Sequence, residues 1–448
     1  MDYQKYCALA EKHREEILAA ERYIWQHPES GYKEWNTHRY MAEIFEKAGY
    51  ALVTAGDIPG FYTDIDTGRP GPKLLIMAEL DALVAPTHPE AWNNCAHACG
   101  HHAQCAAMVG IALALKEPGA LDGLSGSIRL MLVPAEELIE VDFRNDLRKK
   151  GVIHYFGGKV EFLYRGYMDG VDLGYMFHTG GRKDGVYFDI NRGQNGCMAK
   201  DIRYEGVAAH AGGSPDKAIN ALYAASLGLQ AINSLRETFR DDEHVRVHPI
   251  LTEGGTSVNI IPCTAHMSSY VRGMTMDSII ASNRKVNRAL AAGALALGAK
   301  VHISDVPGYA PLINDPTLYG VMRDCMTELY GADRVDASDK WSTGSTDMGD
   351  LSTVLPVCHP HFSGAGGHGH GDDYRIDDPE TACVRSAGAQ LTLAAKLLSD
   401  GAAEAKRVVA NYKPLYGGKE GYFKLMDQRF RDWELVDYTA EGEAEIHY

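Results

Sequence analysis

The spacing of hydrophobic and polar positions changes several times along the first half of the chain, and each change predicts a different element. Apolar residues recur at helical spacing over residues 4–48, and this pattern ends at Gly49. A second, small-residue helix is predicted at 103–116. Short apolar runs predict buried strands at residues 73–80, 127–137 and 172–178. Strands that alternate with helices in this way indicate a mostly parallel sheet covered by helices.

Beyond residue 193 the pattern becomes that of a separate α+β unit. It predicts a strand at 197–207, a helix at 216–239, antiparallel strands within 244–273, a helix at 276–297 and a strand at 300–306. This order is typical of a ferredoxin-like domain. We therefore predict an α/β protein in which residues 1–193 and 307–448 form the helix-covered sheet domain and residues 194–306 form an inserted domain. The tail, 400–448, shows no pattern that predicts an element.

Composition and charge exclude several classes of partner. The formal net charge is −16, and a surface of that sign repels phosphate backbones, so we expect no nucleic acid partner. No apolar run approaches the roughly 20 residues that span a bilayer, and the amphipathic N-terminus lacks the apolar stretch of a signal peptide. We therefore predict a cytoplasmic protein with no membrane partner, whose nine scattered cysteines are reduced thiols.

Reactive side chains follow the three predicted strands of the first domain. The strands lead into Glu79 and Asp81, Glu136 and Glu137, and His178, and a Cys99-Gly100-His101 segment lies between the first two. Ligands of open parallel sheets bind beyond the carboxyl ends of the strands. We therefore expect these side chains to converge at one edge of the sheet.

The converging residues suit a metal ion. Thiolate, imidazole and carboxylate groups together favour Zn²⁺, with Co²⁺, Ni²⁺ or Mn²⁺ as further candidates. Neighbouring residues of an extended backbone point to opposite sides, so if Glu137 binds metal then Glu136 is available as a base. The loop 364–374 adds His368 and His370 as candidates. The Cys-Gly-His segment, the adjacent glutamates and the loop histidines would each, taken alone, be more typical of chance or solvated side chains. Their shared position at strand ends favours a metal site.

Several motifs occur in a fixed order over about residues 10–400: ELDAL, HACGHH, VPAEE, AAHAGGSPDKAINAL, GGTSVNIIP, GSTDMGDLS and GHGHGDDY. The set resembles the dinuclear-metal aminoacylase/carboxypeptidase superfamily of metallopeptidases. Within it, the chain looks like the Cys-Gly-His amidohydrolase branch, which includes hydrolases of p-aminobenzoyl-glutamate, hippurate and auxin conjugates. The resemblance implies a metallo-amidohydrolase that cleaves N-acyl or N-aroyl amino acids, or dipeptides, with a metal-bridged hydroxide and a glutamate base.

The resemblance also implies roles for individual residues. Cys99 matches a ligand that bridges two ions, His101 and His178 match ligands of one ion, and Glu137 and His370 match ligands of the other. Glu136 matches the general base, and Asp81 matches an aspartate that orients a ligand. His370 is preferred to His368 because it lies four residues before an aromatic residue, Tyr374. Two divalent ions per chain are implied, Zn²⁺ foremost, with Mn²⁺, Co²⁺ or Ni²⁺ as alternatives.

By the same resemblance, the inserted domain is a lid that also forms a homodimer. His210, Asn259 and Arg272 match residues that hold the substrate, and His210 is expected to act from the partner subunit. Two alternatives remain open: a dipeptidase or aminopeptidase of the same superfamily, and an inactive metal-binding homologue. The chain departs from the pattern at Leu138-Ile139 and in the long segment 138–171, which we expect to reshape the specificity pocket.

Overall fold

A computed structural model describes residues 3–181 and 185–448 of the chain. The helices in these ranges are, in chain order, α1 (Tyr3–Glu11), α2 (Arg14–Trp25), α3 (Trp35–Lys47), α4 (His101–Leu115), α5 (Val141–Lys149), α6 (Gly158–Tyr164), α7 (Ala221–Ser234), α8 (Met276–Leu297), α9 (Pro316–Tyr330), α10 (Met348–Ser352), α11 (Ser386–Leu398), α12 (Ala403–Asn411) and α13 (Lys419–Asp427). No helix among the described residues is both long and apolar enough to cross a lipid bilayer.

The strands, in the same order, are β1 (Val53–Thr54), β2 (Phe61–Asp66), β3 (Lys73–Glu79), β4 (Leu83–Val84), β5 (Cys95–Ala96), β6 (Ser127–Val133), β7 (Leu173–Tyr175), β8 (His178–Gly181), β9 (Phe188–Ile190), β10 (Gly193–Gln194), β11 (Gly196–Glu205), β12 (Arg246–Val247), β13 (Ile250–Glu253), β14 (Thr264–Gly273), β15 (Lys300–Pro307), β16 (Leu312–Ile313), β17 (Val335–Ala337), β18 (Trp341–Ser342), β19 (Val357–Cys358), β20 (His361–Gly366), β21 (Arg375–Ile376), β22 (Arg431–Tyr438) and β23 (Ala444–Ile446).

The first compact unit comprises Met1–Gly193, Ile313–Trp341 and Asp350–Leu415. Its main sheet has the order β1-β2-β6-β3-β7-β19. The pairs β6–β3, β3–β7 and β7–β19 are parallel, and only the β1–β2–β6 edge is antiparallel. β3 is buried at every position after Lys73, as expected for a strand covered on both faces. α4 is buried almost all round, and a Cβ at its Gly110 would lie 2.5 Å from Ile17 Cδ1, so glycine allows α2 to pack closely.

The second unit comprises Gln194–Leu312, Ser342–Gly349 and Tyr416–Tyr448. Its antiparallel sheet contains the order β13-β14-β11-β15, with α7 and α8 packed together against it. Because the chain order is β11-α7-β13-β14-α8-β15, this is the predicted ferredoxin-like arrangement. A capping box at Thr275 starts α8, and Gly298 with φ 73° ends it.

The mixed α/β class is confirmed, and most predicted elements lie within a few residues of observed ones, α8 at the predicted bounds. Residues 4–48 form three helices instead of one. The hydrophobic pattern predicts no element in the tail, but the structure contains α12, α13, β22 and β23 there. β22 pairs with β15, so residues 416–448 pack with the second unit and not with the sheet domain to which we assigned them. Residues 307–312 and 342–349 also belong to the second unit.

Candidate metal centre

The Cys99-Gly100-His101 turn is built around a glycine that no other residue could replace without strain. Gly100 has φ 97° and precedes the first residue of α4. A Cβ at this position would lie 2.3 Å from the hydroxyl oxygen of Tyr374. The left-handed backbone and the close approach of the tyrosine both require glycine. The turn lets the side chains of Cys99 and His101 approach the same region.

Two groups of ligand atoms share the thiol of Cys99. The ligand atoms of Cys99, His101 and His178 lie within 4.8 Å of one another, and so do those of Cys99, Glu137 and His370. Cys99 Sγ is 3.4 Å from His178 Nε2, and Glu137 Oε1 is 3.3 Å from His370 Nε2. Two nitrogen or oxygen ligands of a tetrahedral Zn²⁺ are about 3.3 Å apart. The donor set therefore fits two ions that share one thiolate.

Asp81 connects the two groups. Its backbone carbonyl accepts a hydrogen bond from His101 Nδ1 at 2.9 Å, and its Oδ2 accepts one from the Glu137 backbone N–H at 2.9 Å. A carbonyl can only accept, so Nδ1 carries the proton and the other ring nitrogen, Nε2, is the atom available to a metal. His178 is oriented in the same way, because its Nδ1 donates to the Thr179 carbonyl at 2.9 Å.

The two adjacent glutamates do not lie on an extended strand. β6 ends at Val133, and Ala135 has φ 56°, so Glu136 and Glu137 follow a left-handed residue. The predicted alternation of the two side chains along an extended strand is therefore wrong for this segment, although both carboxylates lie in the candidate ligand groups. Glu136 groups with His101 and with Glu79. The Ala135 backbone N–H donates to Glu34 Oε1 at 2.8 Å, which fixes this strained turn.

The electrostatics of the centre favour a cation. Burial, followed by the charge of Glu137, raises the pKa of the Cys99 thiol. Burial opposes ionisation of Glu137, but His370 and His101 outweigh it and lower its pKa to about 2. Burial also opposes the charged form of His101, yet Glu79 and Cys99 raise its pKa. A cation beside these groups would stabilise the thiolate that burial alone disfavours.

The two histidines of the loop 364–374 have different surroundings. The backbone N–H of His370 donates to the Ala98 carbonyl at 2.8 Å, which holds this loop beside the Cys-Gly-His turn. His368 instead contacts Asp373, with 2.9 Å between Nδ1 and Oδ2, and its side chain is 88% exposed. The structure therefore brings His370, and not His368, to the ligand groups.

Three buried or half-buried side chains at the centre had no role in the sequence analysis. Glu79 lies near the end of a predicted strand, and in the structure it is fully buried against His101. His359 and His361 surround His178, with ring centroids 5.6 and 5.3 Å away. Burial, followed by His178, lowers the pKa of His359 to about 3. The H-x-H spacing within the apolar run 353–362, which has the pattern of a strand, was the signal that could have indicated these two histidines.

The predicted substrate residues lie in the second unit. His210 is exposed, and its Nδ1 accepts hydrogen bonds from the backbone N–H groups of Gly212 and Gly213 at 3.1 and 3.0 Å. The Ala211 N–H donates to the Asn259 carbonyl at 2.9 Å, so the His210 and Asn259 segments are adjacent. Arg272 is half-buried in β14, and its Nη1 makes a long contact of 3.5 Å with the Thr343 carbonyl.

A family model described as peptidase family M20/M25/M40 matches residues 61–394, most of the chain. The chain belongs to peptidase family M20/M25/M40. It is a hydrolase of that family, and the resemblance drawn from its motifs is confirmed.

Relatives of this M20 chain hydrolyse several kinds of molecule. It is 29% identical to the Xaa-Arg dipeptidase of Mus musculus, over 78% of this chain and 76% of that one. It is 26% identical to the N-acetyl-L-cysteine deacetylase of Bacillus subtilis, over 87% and 90%. It is also 26% identical to one of the polypeptides of the p-aminobenzoyl-glutamate hydrolase of Escherichia coli, over 62% and 53%.

A solved structure shares the fold of this M20 chain. It is a Bacillus subtilis protein, a dinuclear metal binding peptidase from the M20 family. The two chains superpose with a TM-score of 0.62 over 87% of this chain and 99% of that chain, at 20% identity.

Proposed function

We propose that the chain is a two-metal amidohydrolase or carboxypeptidase. Its substrates are N-acyl or N-aroyl amino acids, or dipeptides, with a free carboxylate. The observation that carries this proposal is the pair of ligand groups that share the Cys99 thiol, with the carboxylate of Glu136 beside them. An inactive metal-binding homologue would not need a carboxylate there. The names of the relatives, a dipeptidase and a deacetylase of an N-acetyl amino acid, support the same class of bond.

The protein residues have distinct tasks in this proposal. Two divalent ions, Zn²⁺ foremost, would polarise the amide carbonyl and acidify a water molecule. Glu136 takes the proton of the attacking water and delivers it to the leaving amine. Asp81 holds His101 in one orientation through the 2.9 Å contact at Nδ1 and fixes the Glu137 backbone. These contacts hold the ligands before substrate binds, which reduces the reorganisation that catalysis requires.

In this proposal, residues of the second unit bind the substrate. His210 Nδ1 accepts two backbone hydrogen bonds, so Nε2 carries the proton and can donate to the developing oxyanion. Arg272 Nε makes no hydrogen bond within the described part of the chain, which leaves the guanidinium able to bind a carboxylate in a forked geometry. Asn259 is exposed beside His210 and holds the substrate carbonyl. A carboxylate-binding arginine favours this specificity over that of an aminopeptidase.

We also propose that the chain forms a homodimer through the second unit. The edge strand β13 pairs only with β14 among the described strands, and its Ile250 and Leu251 are 61% and 39% exposed. On α7, Tyr223 and Leu227 are 63% and 43% exposed at i, i+4 spacing. An exposed apolar edge strand is a template for pairing with another chain, and a second copy provides the same edge by twofold symmetry.

The hydrolytic function is tested with a panel of N-acyl amino acids and dipeptides, assayed with Zn²⁺, Mn²⁺ and Co²⁺ in turn. We expect turnover of substrates with a free carboxylate and little turnover of their amides. Glu136→Gln should retain both ions but lower kcat by about 10²–10⁴-fold. A protein loaded with two ions that cleaves no member of the panel would refute the proposal.

The dimer is tested by mixing two inactive variants, Glu136→Gln and His210→Ala. If His210 acts on the partner's site, a mixed dimer has one site with both defects and one with neither. We expect activity to reappear after subunit exchange. Absence of recovery, with exchange verified by mass, would mean that His210 acts within its own chain or not at all.

A further inference from the structure

The segment 138–171 contributes a buried cation to the metal centre. Lys159 lies in α6 and has no exposed surface. Its Nζ forms an ion pair with Glu79 Oε1, and Glu79 is equally buried at the end of β3. A lysine that gives up all its hydration must be compensated by a fixed partner. The role of this segment in the specificity pocket stays a prediction, and Lys159 adds a contact with a residue beside the candidate metal ligands.

The carboxylate of Glu79 is held from both sides. Gln104 Nε2 donates to Glu79 Oε2 at 2.8 Å, and the Glu79 N–H donates to Gln104 Oε1 at 3.3 Å. Cys105 Sγ donates to the Glu79 carbonyl at 3.0 Å. These contacts with α4, together with Lys159, fix the position of Oε2.

The fixed oxygen faces a candidate metal ligand without forming a hydrogen bond to it. Glu79 Oε2 is 3.1 Å from His101 Nε2, yet this nitrogen has no aligned hydrogen bond. Because Nδ1 of His101 donates to the Asp81 carbonyl, Nε2 is the nitrogen that can give up a proton and offer a lone pair to a metal. Nε2 and Glu79 Oε2 are spaced like two ligands of one cation, about 3.3 Å apart in a tetrahedral site.

A carboxylate oxygen and an imidazole nitrogen are also close together, without an aligned hydrogen bond, among the proposed ligands of the other ion. Glu137 Oε1 and His370 Nε2 are 3.3 Å apart, and Glu137 Oε1 also has no aligned hydrogen bond. Glu79 and His101 therefore repeat, at the first ligand group, the geometry of Glu137 and His370 at the second.

We propose that Glu79 is a further ligand of the ion held by His101, with whose ligand atom its carboxylate groups, and that Lys159 offsets its charge through the other carboxylate oxygen. This inference rests on the proposed two-metal function. It makes a prediction that a purely structural ion pair does not make: the two halves of the pair should affect ion affinity with opposite signs. Removing Glu79 removes a ligand, whereas removing Lys159 leaves the Glu79 charge to be compensated by the ion.

The test measures Zn²⁺ affinity by competition with a chromophoric chelator, for each of the two ions. Glu79→Gln should weaken one ion by about 10–100-fold, the range found when groups that support a metal site are removed. Lys159→Met should tighten the same ion and enlarge the rise in melting temperature that Zn²⁺ causes. Lys149→Met is the matched control, because Lys149 carries the same charge in the same segment but is exposed. It should leave both affinities unchanged.

A structural pair would lower the stability of both variants and leave both affinities at the wild-type values, which would overturn the inference. If Lys159→Met does not fold, the double variant Glu79→Gln/Lys159→Met, which buries neither charge, replaces it. The double variant should bind Zn²⁺ as weakly as Glu79→Gln, and wild-type affinity would again overturn the inference. Wild-type protein that binds no Zn²⁺ would refute the proposed function as well, whereas two ions bound with equal affinity in wild type and Glu79→Gln would refute this inference alone.

Discussion

Each of the two units buries a lysine against a carboxylate, but the surroundings of the two pairs differ. In the second unit, Lys200 donates to Asn283 at 3.0 Å, to Asn287 at 2.6 Å and to Asp305. The same two asparagines donate to the other oxygen of Asp305, at 2.6 and 3.3 Å. Every donor of the ammonium and both carboxylate oxygens have partners inside the fold.

The pair in the first unit has one contact of a different kind. Lys159 contacts one oxygen of Glu79 and Gln104 donates to the other at 2.8 Å, but this second oxygen also faces His101 Nε2 without an aligned hydrogen bond between them. Burial of charge is therefore common to both pairs and does not indicate function. The difference lies in the histidine. We call the Lys200 pair closed, because its partners are a carboxylate and amides of the fold, and the Lys159 pair open, because its carboxylate also faces a candidate metal ligand, as the proposed role in binding a cation requires.

The closed pair should show the largest effect on stability. Lys200→Met leaves the buried Asp305 charge without its cation, and such a change typically costs about 3–5 kcal/mol. We expect this loss in the free energy of unfolding of the second unit in urea, with Zn²⁺ content unchanged. Lys300→Met is the control, because Lys300 forms a 2.7 Å pair with Asp437 at the surface, and such pairs contribute about 0–1 kcal/mol. Equal effects of the two substitutions would contradict the distinction between closed and exposed pairs.

Removal of metal should affect the two units differently. A ligand at a hundred times its dissociation constant stabilises the folded state by about 2.7 kcal/mol. Chelation of the metal-loaded protein should therefore increase amide hydrogen exchange in β3 and the first turn of α4 and leave α8 and β15 unchanged. Mass spectrometry of peptides measures both regions in one experiment. If exchange instead increased equally in both units, the ions would stabilise the whole chain and not the metal centre in particular.

The same comparison explains which parts of the site could be predicted from the sequence. Cys99, His101, Glu137, His178 and His370 follow strand ends or carry a motif, and the structure brings their ligand atoms together. Lys159 carried no such signal, because a lysine in a polar, charged segment is usually solvated. Its burial depends on how α6 packs, which is a tertiary property. Glu79 lay at a strand end, yet its contact with His101 could not be derived from spacing.

The fold shows the same limit. α8 has a capping residue at its start, a glycine at its end and a clear apolar face, so its bounds follow from local rules. β22 has only two buried residues, Leu435 and Val436, in eight positions. Its pairing with β15 includes His302, which contacts Asp432 and Glu434. Its two buried residues are adjacent and do not alternate with exposed ones, so the strand has no hydrophobic alternation from which it could be predicted.

Smaller effects on stability should follow from removing single buried hydroxyl groups, one without a hydrogen-bond partner and one with a partner. The Tyr374 hydroxyl is buried beside Gly100 and has no hydrogen bond within the described residues, whereas Tyr50 donates to the Ala112 carbonyl at 2.7 Å. Tyr374→Phe removes an unsatisfied polar group and should stabilise the metal-free protein by about 1 kcal/mol. Tyr50→Phe should destabilise it by a similar amount. Urea unfolding of the two variants measures the signs, and the same sign in both would contradict this interpretation of the centre.

The smallest effect should come from the exposed ion pairs that attach β22, and it depends on pH. Burial opposes the charged form of His302, but Asp432 and Glu434 outweigh it and raise its pKa from the ordinary value of 6.5. A folded-state pKa above the unfolded value means that the contribution is complete below about pH 6.5 and is lost as the pH rises through the folded value. Hydrogen exchange at 431–438, corrected for its intrinsic pH dependence, should therefore show weaker protection at pH 8 than at pH 6. His302→Gln should remove that difference while β11 and β14 exchange as before. Protection that is independent of pH in the wild type would show that backbone pairing alone holds this strand.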